Sequence, residues 1–227
     1  MASVSFPTEH PPLHFESREG DPRARLLVEA AYDLLDEGGL EGLTIRAVLA
    51  RTGLARRAFY DNFESKDDLV LAVFEQTIRL AAGYYRTKAA TIADPIGRLA
   101  LIVSSIAIGT ANLDSVIPGG SDGIEAGNQR SAALSREHLR LADTRPRELQ
   151  AALAPLLALI AEQLRAGVAA GVVRDCDADI QAALIYNLVS TTVHTELLAA
   201  AAGAQDRERR LRLAEEIWEF CRRAVMA

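Results

Sequence analysis

The chain has 227 residues, 31 acidic against 25 basic side chains, 49% apolar residues and only 5% aromatics, the composition of an ordinary globular protein of one domain or two small ones. A formal charge of -6 and a pI near 5.3 argue against a protein that coats nucleic acid or anionic membrane nonspecifically, because that needs a broad basic surface. Any nucleic-acid contact must be local.

Two cysteines, Cys176 and Cys221, lie far apart with no CxxC and no Cys/His cluster. Neither a disulfide framework nor a zinc site is signalled, so no metal or cofactor is expected and the cytoplasm is the default location. The best apolar runs, 99–113 and 182–202, are broken by Ser, Thr, Asn, His and Glu, so no membrane span is expected. Residues 1–20 lack the basic start and apolar core of a secretory leader; with Pro7, Pro11 and Pro12 and little to bury, they read as a disordered arm.

From Asp21 onward the pattern is all-α, with Gly, Pro or Asp at intervals of one helix and no strand-like alternation. The first helix opens at Asp21-Pro22, a cap followed by a proline suited to the first helical position, and ends at Gly38-Gly39; Leu27, Ala31, Leu34 and Leu35 form its buried face. A short helix runs from its cap Thr44 to Thr52, with Ile45, Val48 and Leu49 inward, and stops at Gly53. Another short helix spans roughly 55–62. Ser65 caps a long one, with Asp68 as its capping-box partner. Asp94-Pro95 starts a helix to about residue 111, residues 112–127 form a Gly-rich loop, and 131–142 is a modest helix. Pro146 begins a longer helix that Pro155 should interrupt with a kink. Asp177 or Asp179 caps a helix reaching residue 202, and 205–226 is the last, giving about nine helices in all. No repeat of fixed period is visible.

The informative stretch is 44–66, TIRAVLARTGLARRAFYDNFESK: two short helices joined by a Gly-centred turn, the second carrying adjacent arginines and an aromatic. A helix-turn-helix has this layout, its first helix bracing on the DNA backbone and its second entering the major groove. Between Glu41 and Asp61 stand Arg46, Arg51, Arg56 and Arg57 and no acid, a local basic island in an acidic chain. On spacing alone the pattern is degenerate, and a solvated helical hairpin of no function fits it as well.

The pattern Ala31, Gly39, Thr44, Ile45, Arg46, Gly53-Leu54, Phe59-Tyr60, Phe63, Ser65-Lys66 and Leu69 resembles the TetR family of transcriptional repressors, and the chain length and divergent helical remainder fit that resemblance. It implies DNA-contacting roles for Thr44 and Arg46 on the second helix, for Arg56, Arg57 and Ala58 at the start of the recognition helix, for Tyr60 and Asn62 against phosphate, and for Lys66 at the start of helix four. A helix N-terminus and an ammonium both favour phosphate, which supports Lys66 independently. Phe59 and Phe63 read as core pins that set the recognition-helix angle. The chain departs from the family pattern at Ala55, where a capping Ser is usual, and at Arg57, Asn62 and Leu49, so familiar operator sequences do not carry over.

Gly119-Gly120-Ser121-Asp122-Gly123 satisfies GxSxG, but that motif is catalytic only where a strand turns into a helix beneath an oxyanion hole, and no strand precedes it here. Asn187, Thr191 and His194 fall at i, i+4 and i+7 on one face of an otherwise apolar helix. They either line a ligand cavity, pair across a dimer, or are satisfied core polars; His194 with Glu196 cannot chelate a metal, since i and i+2 point apart. In the last helix Leu211, Ala214, Trp218, Cys221 and Val225 repeat at spacings of 3 and 4, a bundle seam, flanked by Leu213, Ile217 and Phe220. In the resembled family the last two helices form a four-helix dimer interface, which that extra face would serve, and Leu211, Ala214, Trp218, Cys221 and Val225 are the expected interface residues.

The resulting expectation is an all-α protein with an arm at 1–20, a three-helix helix-turn-helix module at 21–68 and an effector-binding and dimerisation domain at 69–227. It would be a cytoplasmic homodimer, released from a palindromic double-stranded DNA operator by a small hydrophobic effector. Glycines 119, 120, 123 and 127 would gate the effector cavity. The rival is a helical enzyme or interaction scaffold with a relict DNA module; the sequence shows no nucleophile-base-acid constellation for it.

Overall fold

The computed structural model describes residues 21–108, 134, 136–200 and 207–227, and among these the protein is all-α. The helices are α1 (Pro22–Gly42), α2 (Ile45–Thr52), α3 (Arg56–Tyr60), α4 (Lys66–Ala89), α5 (Pro95–Ile108), α6 (136–144), α7 (Pro146–Ala169), α8 (Ala178–Ala200) and α9 (Arg207–Val225). The Gly-rich loop, the GxSxG stretch and the arm lie outside the described residues.

Local chemistry sets most of the boundaries. Asp21 accepts the Arg23 amide at 2.8 Å and Thr44 the Ala47 amide at 3.1 Å, each satisfying one of the amides that a helix start leaves unpaired. α2 stops at Gly53, whose φ of +68° lets its N–H return to the Leu49 carbonyl at 2.9 Å. The predicted end of α1 falls where Gly39 leaves helical geometry (φ 59°, ψ -157°), after which one further turn reaches Gly42. At α4, Ser65 accepts the Asp68 amide at 3.2 Å, but the Asp68 carboxylate returns to the Glu64 amide at 3.1 Å, one residue before the position of a standard capping box. Asp177, not Asp179, caps α8, through the Asp179 and Ile180 amides at 3.0 and 3.1 Å.

α1 packs on α2, α3 and the first half of α4 around Leu27, Leu35, Leu43, Phe59, Phe63 and Leu69, all essentially solvent-free. Each such side chain contributes roughly 1.5–3 kcal/mol of burial. α4 then continues into a second bundle, where α5 touches α4, α7, α8 and α9 and is therefore the central helix. α7 runs unbroken through Pro155, so the expected interruption is absent. α7 is also the one described helix long and apolar enough to cross a membrane, which a reading confined to 99–113 and 182–202 overlooks; half of that window is buried, and the helix packs on α4, α5 and α8 as a core element. The chain end closes the bundle: Arg174 N–H donates to the Val225 carbonyl at 3.0 Å and Ala227 N–H to Val172 at 3.3 Å, tying α9 to the α7–α8 turn.

Candidate nucleic-acid interface and effector core

α2 and α3 meet across a turn of three residues, 53–55, and both are held by α1. α3 has no side-chain cap, as Ala55 implies, so its angle rests on packing: Phe59 is fully buried, 5.8 Å from Phe63 by ring centroids. Those two rings are the expected core pins. On the opposite side α3 exposes Arg56, Arg57 and Tyr60. The Arg56 guanidinium lies 5.5 Å over the Tyr60 ring and donates to its hydroxyl at 3.3 Å, which keeps Arg56 protonated and extended along the helix. Arg57 is 91% exposed, with only a long contact to Asp61 at 3.8 Å. Arg46 is exposed on α2 and Lys66 half-exposed at the start of α4, neither in an ion pair with a described residue.

Three members of the sequence-derived set fall elsewhere. Ala58 and Asn62 are only 7% and 8% exposed. The Asn62 side-chain N–H donates to the Ala58 carbonyl at 3.0 Å, closing the C-terminal turn of α3, so both are supports beneath the exposed face. Arg51, counted in the basic island, is held by Glu37 of α1 through two bonds of 2.8 and 2.7 Å, with Asp33 at 3.8 Å. Thr44 is exposed and its oxygen caps α2, leaving the hydroxyl proton for an outside acceptor.

Sequence reading missed the charge balance around Lys66. Asp67 and Asp68 follow it directly and would repel phosphate, but Arg140 of α6 reaches Asp67 at 3.0 Å and Arg145 at the start of α7 bonds Asp68, whose side chain is only 10% exposed. The acids are neutralised from the second bundle while Lys66 forms no ion pair with a described residue. These partners lie more than seventy residues away in sequence, so no local signal could reveal them.

The polar stripe of α8 divides. Asn187 and Thr191 are exposed, whereas His194 is 8% exposed and its Nδ1 has no hydrogen-bond partner. A single ligand contact of all three is therefore not what the geometry offers. Burial, with His194 nearby, holds the His138 imidazole below its ordinary pKa. The His138 ring lies 6.0 Å from Phe74 and 5.9 Å from Tyr186. Tyr186 and Tyr85 are buried beside each other, and burial raises both phenols so that they stay protonated.

The seam of α9 is corrected in a similar way. Ala214, Cys221 and Val225 are 3%, 2% and 0% exposed within this one chain, and α9 packs on α5, so the 3-4 repeat marks contact with the protein's own core. Trp218 is half-buried at the edge of that face. The apolar surface left outside is Leu211 and Phe220 on α9 and Ile180 and Leu184 on α8. No group of three potential metal ligands occurs among the described residues.

The family model described as bacterial regulatory proteins, tetR family, matches residues 27–73, which cover most of α1, all of α2 and α3 and the first turns of α4. Residues 27–73 are therefore a TetR-type N-terminal module. The TetR family is one of DNA-binding transcriptional regulators rather than enzymes. No curated protein matches the chain by sequence. Among solved structures it resembles a TetR-family regulator from Mesorhizobium loti (16% identity, 90% of this chain and 97% of that one, TM-score 0.61). It is also similar to FadR from Bacillus subtilis, solved with stearoyl-CoA (17% identity, 87% and 96%, TM-score 0.60). A third similar structure, a transcriptional regulator from Saccharomonospora viridis solved with choline, has 20% identity, 90% and 97% coverage and a TM-score of 0.59. The TetR-type fold thus extends through the second bundle, beyond the residues the family model matches.

Proposed function

We propose that this chain is a homodimeric repressor that leaves a near-palindromic DNA operator when a small, largely apolar effector enters the second bundle. The observation that carries the DNA half is the display of Arg46, Arg56, Arg57, Tyr60 and Lys66 at the surface while the neighbouring charges of Arg51, Asp67 and Asp68 are neutralised by other elements. Arg57 and Arg46 suit base-edge or phosphate contact, and Thr44, Tyr60 and Lys66 suit phosphate. Residues 21–68 form the reader, 69–227 the sensor and dimer domain, and 1–20 an arm. A DNA-bound regulator works where the chromosome is, in the bacterial cytoplasm.

Two-fold pairing follows from the small number of base pairs that one short recognition helix covers. The outer face of α8 and α9, with Ile180 61%, Leu184 58% and Phe220 65% exposed, supports pairing there, and Asn187 and Thr191 extend the same outer side of α8. The similar structures solved with stearoyl-CoA and with choline support an effector held inside the helical domain. An effector acts only through its difference in affinity for the two DNA-binding states.

The test is Leu184→Glu in the full-length protein, followed by sedimentation equilibrium and binding to the duplex that wild type selects from random DNA. A charge unpaired in an apolar contact should yield folded monomers with at least tenfold weaker binding to the palindrome. An unaltered dimer would move the interface away from α8.

A further inference from the structure

Resting on the effector-binding reading, we propose that the recognition centre for the effector is the cluster of Phe74 of α4, His138 of α6 and Tyr186 and His194 of α8, and that the effector is an uncharged aromatic alcohol of the phenol class. His194 is 92% removed from solvent by its 8% exposure, yet its Nδ1 meets no partner in the protein. A buried polar atom left unpaired costs about 1–3 kcal/mol, which a bound molecule offering the missing hydrogen bond recovers.

The walls choose the shape. The rings of Phe74, His138 and Tyr186 stand in sequence at 6.0 and 5.9 Å with interplanar angles of 50°, an arrangement that a flat ring extends by edge or offset contact. Charge chooses the head group. His138 and His194 form no ion pair with a described residue, burial disfavours the imidazolium form of His138, and the phenols of Tyr85 and Tyr186 stay neutral. A carboxylate would enter at a desolvation cost of several kcal/mol, and at Nδ1 it can only accept, not donate. A quaternary ammonium nitrogen carries no N–H and so offers the unpartnered Nδ1 no hydrogen bond. A hydroxyl both donates and accepts, and so satisfies the unpartnered Nδ1 in either tautomer of the ring.

The experiment uses the full-length protein and four probes of similar size: 4-ethylphenol, ethylbenzene, 4-ethylbenzoate and choline. Binding is followed by calorimetry and by the imidazole nitrogen signals of His138 and His194. The expected result is 4-ethylphenol bound about tenfold more tightly than ethylbenzene, the equivalent of one recovered hydrogen bond, with a shift of the His194 nitrogens. In His194→Phe the two should bind alike. The nitrogen shift in wild type decides the matter should that variant fold poorly. Benzoate or choline binding more tightly than the phenol, no shift at His194, or an ordered water on Nδ1 that the phenol leaves in place would each overturn the proposal. Operator binding measured in parallel separates the two readings. Phenol binding at His194 that leaves operator affinity unchanged supports the site and refutes the regulatory reading. Operator release by a probe that leaves His194 untouched refutes the site alone.

Discussion

Replacing Arg145 by Gln removes the guanidinium that joins the start of α7 to Asp68 in the first turn of α4. Asp68 keeps the Glu64 amide and the favourable end of its own helix, but its side chain is only 10% exposed and Arg145 only 24%, so water replaces little of the lost partner. Breaking a fully buried pair costs about 3–5 kcal/mol; the residual exposure and remaining donors reduce this to about 2 kcal/mol. For a domain of this size that lowers the melting temperature by about 4–8 °C. Asp68→Asn in the same chain removes the stranded charge, so urea unfolding of the two single variants and the double variant should give a coupling of about 1–3 kcal/mol. Operator affinity should fall in Arg145→Gln as well, because an unneutralised Asp68 then stands beside Lys66. A coupling below about 0.3 kcal/mol, within the scatter of additive sites, would refute the claim that the second bundle holds and neutralises the start of α4.

Gly167→Ala drives a methyl into Val173 Cγ2 at the α7–α8 turn and should cost about 1–3 kcal/mol in denaturant unfolding; Val173→Ala in the same chain should recover most of it. Asn62→Ala removes the hydrogen bond to the Ala58 carbonyl and should lower stability by about 1 kcal/mol, with weaker operator binding and an unchanged salt slope, since Asn62 supports α3 without touching phosphate. The folded pKa of His138 lies below its unfolded value, first through burial and then through His194, so the unfolded chain binds more protons below about pH 6.5. Stability is therefore present above that pH and falls as pH drops through the folded pKa; His138→Phe should flatten this limb of a pH series of melting temperatures.

Features that depend on near neighbours were readable in the sequence. Ser65, Gly53, Asp94-Pro95 and the uncapped Ala55 each act within four residues, and each boundary falls beside them. Phe59 and Phe63 were recognisable as core because a short helix needs large pins to fix its angle. Arg51 reads as part of the basic island because its partner Glu37 lies on another helix, fourteen positions back. The 3-4 repeat of α9 correctly implies a buried stripe, but periodicity does not say what covers it; α5 of the same chain does. Asn187 and His194 lie within about 20° on a helical wheel of 100° per residue, yet one is exposed and the other buried, because a helix face is not covered evenly along its length.

The most direct test of the account is the salt dependence of operator binding for wild type, Lys66→Ala, Arg57→Ala and Arg51→Ala. Each lost phosphate contact should flatten the slope of log K against log salt by about 0.9 per protomer. Lys66→Ala should show that change on every duplex, and Arg57→Ala should in addition relax base preference by about 1–3 kcal/mol at one position of each half-site. Arg51→Ala should leave the slope unchanged, since Glu37 and Asp33 already hold that charge. A slope that flattens for Arg51 and not for Lys66 or Arg57 would contradict the interface assigned to α2, α3 and the start of α4.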